Sequence, residues 1–335
     1  MREGTKWLSK TPIDRLSLDK VTRSYNAALE MAEKTVRGCD LETVEGRFAA
    51  KQVIATACVL KTLIARPVLF LAPIYRETGG PENNPHRVID RVGQDLFLQL
   101  QSERILSGGS LYIEENHRWV RFEGRKSEGS AVTVNIDTLD GTSGINVGKR
   151  DQASAIMITD VERNRFLAGS IVSLVDDALL TIEPGRIGFY QLREGYRKVD
   201  PQNVQRSRKD LSAIATLGRH MTKVIPGPPD LDTFGGYGLH RVFTGSLGTM
   251  FDAKGQIWYE AVMWGLMGEQ LGLSVSDFQN RPYDWYQILR DSQQQDYRAS
   301  FPLVISNNEF AHYQFLDQLE QWTNNPTNIS DERLN

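Results

Sequence analysis

Cysteine is scarce in this chain: Cys39 and Cys58 are the only two among 335 residues. Two thiols cannot build a disulfide framework. Neither belongs to a Cys-x-x-Cys pair, which argues against a cysteine zinc centre as well. A reducing, cytoplasmic setting is the expectation. Excess charge of one sign is also missing, since 39 Lys plus Arg stand against 42 Asp plus Glu and leave −3. No net basic field exists to hold a nucleic-acid backbone, so no nucleic-acid partner is expected. Long uncharged apolar runs are absent too. The most apolar stretch, Val53 to Ile74, carries Lys61, Arg66, Pro67 and Pro73, which a membrane-spanning helix would not readily take. The opening MREGTKWLSK has neither the apolar core nor the small-residue cleavage site of a signal peptide. No membrane association is therefore expected. There is no Gly-x-Ser-x-Gly elbow and no Gly-x-x-x-x-Gly-Lys-Ser/Thr loop. His86, His117, His220, His240 and His312 form no His-Glu-x-x-His or His-x-His spacing, and His240 is expected to pack or hydrogen-bond rather than ligate metal.

What is present reads as a globular mixed α/β protein. A 40% hydrophobic and 24% charged composition excludes a disordered or fibrous chain. The length suggests about two domains, placed at residues 1–195 and 196–335. Apolar residues at three- and four-residue steps predict helices over Leu16–Val36, Leu41–Ala65 and Val88–Ile105. Short apolar or alternating runs predict strands at Val68–Leu71, Leu111–Ile113, Ala131–Ile136, Ala153–Ile158, Leu167–Leu174, Ala178–Ile182, Ile187–Leu192 and Gly255–Tyr259. A helix follows over Ala261–Leu271. The tail alternates helix, strand and helix around Ile288, Phe301–Ile305 and Phe310–Trp322. Helices first, a strand-rich middle and alternating elements at the end give layered helices and sheets.

Acidic residues gather where such layers place ligands. The segment Asn135–Val147 reads NIDTLDGTSGINV. Asp137 is read as ending an alternating strand, and Asp140 follows three residues later. Gly141 permits a turn there. The two carboxylates and the Leu139 carbonyl can converge on one hard cation such as magnesium. Thr142 and the amides around Gly141 can present donors to an anion. Taken alone, Asp-x-x-Asp-Gly is also an ordinary turn. Glu114 and Glu115 follow another short apolar strand, where adjacent carboxylates repel unless a cation or water screens them. Glu260 is a third acid: it ends the strand Gly255–Tyr259 and opens an apolar helix, where the N-terminal dipole by itself also favours a carboxylate. Ligand sites in α/β folds gather at such ends.

These residues resemble the lithium-sensitive, metal-dependent phosphatase superfamily, which contains inositol monophosphatases, bisphosphate nucleotidases and fructose-1,6-bisphosphatases. The Asp-x-Leu-Asp-Gly-Thr/Ser core is its most specific motif, and this chain has Asp137-Thr-Leu-Asp-Gly-Thr-Ser143. Class I fructose-1,6-bisphosphatase looks closest. Asp90 leads through a helix to Tyr112-Ile-Glu-Glu115, the run LDGTSGI matches that branch's LDG-S-S-x-I, and His240-Arg241 precede Lys254-GQIW-Tyr259-Glu260. The third acid is Glu in that branch, where inositol phosphatases usually have Asp after Trp. Glu269 and Gly272 stand where the family has Glu-x-x-Gly. The similarity covers roughly Val88–Val147 and His240–Asp277.

The resemblance implies the layered α-β-α-β-α sugar phosphatase fold. It assigns Glu114-Glu115 and DTLDGTS to the N-terminal half, and Lys254 and Glu260 to the C-terminal half. It implies that Glu114, Glu115, Asp137, Asp140, Glu260 and the Leu139 carbonyl bind two or three magnesium ions, with manganese a possible substitute. Asp90, Glu115 and Thr142 would serve the reaction, and Lys254, Ser143 and Tyr259 would meet the substrate. The expected partner is a small phosphorylated sugar or polyol, and a homo-oligomer is expected. Lys254 lies six residues before Glu260, on the same face of a strand read as extended. Departures from the pattern fall at Thr138, where the family has Pro, and at Gly144, where it has Asn. The Arg-Tyr pair around the second phosphate is replaced by Leu231-Asp-Thr-Phe-Gly-Gly, and a family Tyr falls near Phe251. A sugar phosphatase with an altered second-phosphate pocket is the leading expectation. An inositol or 3′-phosphonucleotide phosphatase is the second. A metal-binding or regulatory scaffold without turnover is the third.

Overall fold

A computed structural model describes residues 15–64, 91–113, 118–124, 131–140, 152–192, 197–199, 214–217, 235–294 and 299–323. The chain divides into two compact units. One comprises residues 1–201 with 290–296, and the other comprises 202–289 with 297–335. The expected strand at Val68–Leu71 lies outside the described residues.

The first unit is built on an eight-stranded sheet. Its strands are β1 (Gly109–Ile113), β2 (Arg118–Phe122), β3 (Val132–Asp140), β4 (Ala153–Asp160), β5 (Arg165–Ser173), β6 (Ala178–Glu183), β7 (Arg186–Gln191) and β8 (Arg197–Val199). The order is β2-β1-β3-β4-β5-β6-β7-β8. Every neighbouring pair is antiparallel except β1 and β3, which run parallel. Tight turns join β4 through β7, as the short spacing between their apolar runs requires.

Helices α1 (Arg15–Val36), α2 (Val44–Ile64) and α3 (Arg91–Gln101) belong to the same unit. Helix α2 crosses β4, β5 and β6, with α1 and α3 packed against it. Its residues Phe48, Ala49, Ala50, Val53, Ile54, Ala55, Ala57, Val59 and Leu60 are all buried. A helix apolar around most of its girth must be enclosed. Its alanines let the neighbouring elements come close. From the sheet, Val132, Val134, Ile156, Ile158, Ala168 and Val172 join this core. These are alternate positions along three strands, so they define the helix-facing side.

Capping explains where the helices depart from the expected ends. Helix α2 starts at Val44 rather than Leu41 because the Thr43 hydroxyl accepts from the Gly46 amide, as an N-cap does. Helix α3 stops at Gln101 rather than Ile105. The Gln101 amide side chain takes over the bonding of the Leu106 backbone, accepting from its N–H and donating to its carbonyl. Arg104 turns the chain at φ 52°.

The second unit contains a four-stranded sheet of β9 (Ile214–Leu217), β10 (Thr249–Ile257), β11 (Ser274–Ser276) and β12 (Ser300–Ser306), in the order β11-β12-β10-β9. Helices α4 (Gly236–Thr244), α5 (Trp258–Gln270) and α7 (Glu309–Thr323) belong to it. Helix α6 (Trp285–Gln294) begins in the second unit and ends in the first. Helix α5 buries Trp258 and Tyr259 and everything from Ala261 to Gly268. It packs on β10, β11 and β12. A Cβ on Gly265 would run into the Trp285 ring, so that position keeps a glycine. Among the described residues, no helix is long and apolar enough to cross a membrane.

His312 of α7 sits within this unit's core at 3% exposure. Ser276 donates to the Asp277 carbonyl at 2.7 Å, so its oxygen is left to accept from His312 Nε2 at 2.8 Å. Nδ1 then accepts from Ser306 at 3.0 Å, and Ser306 can accept from Thr249 at 2.9 Å. The ring is therefore held neutral, and burial pushes its pKa below the ordinary histidine value. In that case the unfolded chain binds the proton more tightly than the folded one. The contribution to stability is complete above about pH 6.5 and is lost as the pH falls from there toward the lower folded value. The urea midpoint should accordingly drop between pH 7.5 and 5.5, and His312→Gln should flatten that drop. An unchanged slope in the variant would remove His312 as its source.

Candidate functional site

The Asp137–Asp140 pair depends on a fault in the strand pairing. Along β3, Asp137 lies opposite Ala155 of β4, and Asp140 lies opposite Ala153. Three steps on one strand match two on the other, which makes a β-bulge. On a regular strand, residues three apart would point to opposite faces. The extra residue restores the alternation, so both aspartates share the face that carries Ala153 and Ala155. The two residues between them face the helices. Leu139 is 4% exposed within the helix-side core, and Thr138 lies against Gly93 of α3, where a Cβ would collide with the Thr138 hydroxyl. The bulge thus turns Thr138 and Leu139 inward and leaves both carboxylates outward.

This corrects one expectation. Asp137 does not end its strand, because β3 runs on to Asp140. Both acids lie within the last four residues of the strand, on one face, and Asp140 is the residue that ends it. Opposite each stands an alanine, so no large cross-strand side chain crowds them. Asp137 is 5% exposed and Asp140 half-buried. Carboxylates taken this far out of water require hydrogen bonds or a cation. Two such oxygens side by side form a donor set suited to a hard divalent ion such as magnesium. For Leu139, whose side chain is committed to the core, the carbonyl is the only available donor.

Tyr259 is corrected in a second way. It does not extend a strand, because β10 ends at Ile257, and it lies with Glu260 in the first turn of α5, the helix that Glu260 was expected to open. A carboxylate at the third helical position is favoured by the N-terminal dipole. Tyr259 is buried, and its hydroxyl donates to Glu260 Oε1 at 3.3 Å, a contact that steadies the half-buried acid. The extended run from Lys254 to Glu260 is therefore interrupted by a helix. The pairing of β10 with β12 also slips between Asp252 and Gln256, the stretch that contains Lys254.

Asp90, Glu114, Glu115, Thr142 and Ser143, and the side chain of Lys254, lie outside the described residues. Among the described residues, no group of three or more His, Cys, Asp or Glu side chains is placed to hold a metal. His240 is buried in α4 and stacks on Tyr237 with ring centroids 6.4 Å apart. Phe251 is a core residue against Phe315 and Phe278, so the position where the resemblance puts a tyrosine serves packing here. Glu269 accepts from the Trp285 indole at 2.7 Å, and Gly272 closes the helix at φ 71°.

A largely antiparallel sheet with helices packed on it, followed by a smaller mixed sheet with its own helices, is the mixed α/β fold of the inositol monophosphatase type. One similar structure is the extragenic suppressor protein suhB of Bartonella henselae, at 17% identity and a TM-score of 0.57, covering 81% of this chain and 96% of that one. An inositol monophosphatase from Zymomonas mobilis is 16% identical with a TM-score of 0.52, covering 82% and 97%. An IMPase/NADP phosphatase complexed with NADP and Ca2+ is 15% identical with a TM-score of 0.51, covering 78% and 90%. No family model matches the sequence, and no curated protein matches it.

Proposed function

We propose that this chain is a magnesium-dependent phosphatase acting on a phosphate monoester of a small sugar or polyol. The observation that carries this reading is the bulge that sets Asp137 and Asp140 on one face, with alanines opposite. Glu114, Glu115, Asp137, Asp140, the Leu139 carbonyl and Glu260 would hold the ions. Magnesium there would neutralise the transferring phosphoryl group and lower the pKa of the attacking water. Asp90, Glu115 and Thr142 would orient that water and take its proton. Its oxygen bonds to phosphorus as the ester oxygen leaves with a proton as the alcohol. Ser143 and Lys254 would bind phosphate oxygens, and Tyr259 would brace Glu260 from behind. Glu at position 260 and the LDGTSGI run favour a substrate like that of fructose-1,6-bisphosphatase, although the missing Arg-Tyr pair argues for weak affinity toward fructose 1,6-bisphosphate itself. A second reading, an inositol phosphatase, draws on the Zymomonas neighbour.

The test is phosphate release from fructose 1,6-bisphosphate, sugar monophosphates, inositol 1-phosphate and a 3′-phosphonucleotide, with and without magnesium. Magnesium-dependent release from sugar or polyol esters is expected. Preference for inositol 1-phosphate would select the second reading. No release from any of them would leave a scaffold without turnover.

A further inference from the structure

Asn135 lies on β3 two residues before Asp137, at 1% exposure. Its cross-strand partners are Tyr112 of β1 and Met157 of β4. It therefore shares the face of Asp137, opposite the side where Val134 joins the helix core. Neither its Nδ2 nor its Oδ1 has a hydrogen-bond partner. A buried amide in this state is destabilising, and native proteins rarely keep one without a reason.

The neighbouring polar groups on the same face are satisfied. The Thr133 hydroxyl accepts from Gln293 Nε2 at 2.9 Å. The Trp119 indole, whose ring meets the edge of Tyr112 at 5.2 Å, donates to the Ser292 carbonyl at 3.0 Å. The last turn of α6 thus bonds to this part of the sheet, while the amide beside Tyr112 and Met157 keeps both its donor and its acceptor unused. A Leu or Val would fill an apolar strand position more cheaply, so packing alone does not account for Asn135.

We infer that Asn135 is a positioning residue for Asp137, holding its carboxylate through one shared water so that the metal-facing oxygen is fixed. Residues two apart on a strand stand about 6.6 Å from each other. Short side chains rising in parallel across that gap do not reach each other directly. Two hydrogen bonds of about 2.8 Å through a bridging water span it. An amide can donate to such a water while the water donates to the carboxylate. This rests on the metal reading proposed above.

The test compares Asn135→Leu, Asn135→Val and Asn135→Ser with wild type and with Asp137→Asn. Each is measured by its melting temperature without metal and by the magnesium concentration at the midpoint of a calorimetric titration. The expectation is that the Leu and Val variants melt no lower than wild type without metal. Their magnesium midpoint should nevertheless rise by about 10- to 100-fold, the effect of losing an outer support of a ligand. The Ser variant, which keeps a polar group, should recover part of that loss. An unmoved midpoint in the Leu or Val variant overturns the inference. So does a lower metal-free melting temperature or a failure to fold in both, since that would make the amide a structural bond. Failure of the metal reading has a different signature: wild type takes up no magnesium, or Asp137→Asn takes it up as wild type does.

Discussion

Asp137→Asn should lower phosphate release at saturating magnesium by at least about a hundredfold, with the fold unchanged. The substitution keeps the shape and removes one negative charge from a residue 5% exposed on the outward face of β3. Removing a single preorganised electrostatic contact from an active site commonly costs ~10²–10³ in rate, and a hundredfold corresponds to about 2.7 kcal/mol of transition-state stabilisation. Asp140→Asn should act in the same direction, because the bulge places it beside Asp137. Asp176→Asn, on the turn between β5 and β6, serves as a control for charge removal elsewhere and should leave turnover alone. The measurement is kcat on the best substrate of the phosphate-release panel, with circular dichroism to verify folding. Wild-type turnover in Asp137→Asn at saturating magnesium would remove the pair from the reaction.

The side-by-side placement of these two acids was only half legible in the residues. The DTLDG run announces two carboxylates near a glycine, and strand alternation up to Ile136 is plain. Simple alternation would nevertheless send Asp137 and Asp140 to opposite faces. What reconciles them is a register slip against Ala153 and Ala155, a tertiary feature with no local signature. The long helices and the β4–β7 meander were legible because each carries its own period or alternation. By contrast, α4 was hidden behind Gly235, Gly236 and Gly238, residues that disfavour a helix; its end is secured by Gly245 in the left-handed region. Strand β2 is only five residues long, with arginines at its first and fourth positions. The strand before Glu260 reads two residues too long because Ile257, Trp258 and Tyr259 are all strand formers. Burial of Trp258 and Tyr259 within α5 overrides that preference.

Glu183→Ala should destabilise the first unit by about 3 kcal/mol without touching the proposed reaction. Glu183 ends β6 at 4% exposure, and its carboxylate reaches across to the start of α2. Oε2 accepts from the Glu42 amide at 3.1 Å, and Oε1 accepts from the Thr43 amide at 2.8 Å and from the Thr43 hydroxyl. Thr43 in turn caps α2 through Gly46, and a Cβ on Gly46 would collide with the same carboxylate. One side chain therefore satisfies the donors that open the most buried helix of the unit. Hydrogen bonds to a charged group are worth ~1.5–3 kcal/mol each, and a lost N-cap costs ~1 kcal/mol. The sum is reduced because Glu42 is exposed and water can replace part of what is lost. Arg186, which pairs with Asp40 and Glu42, continues to tie the loop to the β6–β7 turn. Glu183→Gln keeps one accepting oxygen and should lose roughly half as much, while Thr43→Ala should lose about 1 kcal/mol. Because Glu183 and Thr43 act through one contact, the double variant should lose less than the sum of the two single variants. Urea unfolding followed by circular dichroism reads all four variants. A Glu183→Ala midpoint within ~0.5 kcal/mol of wild type, the range of an ordinary surface change, would show that α2 starts without help from the sheet.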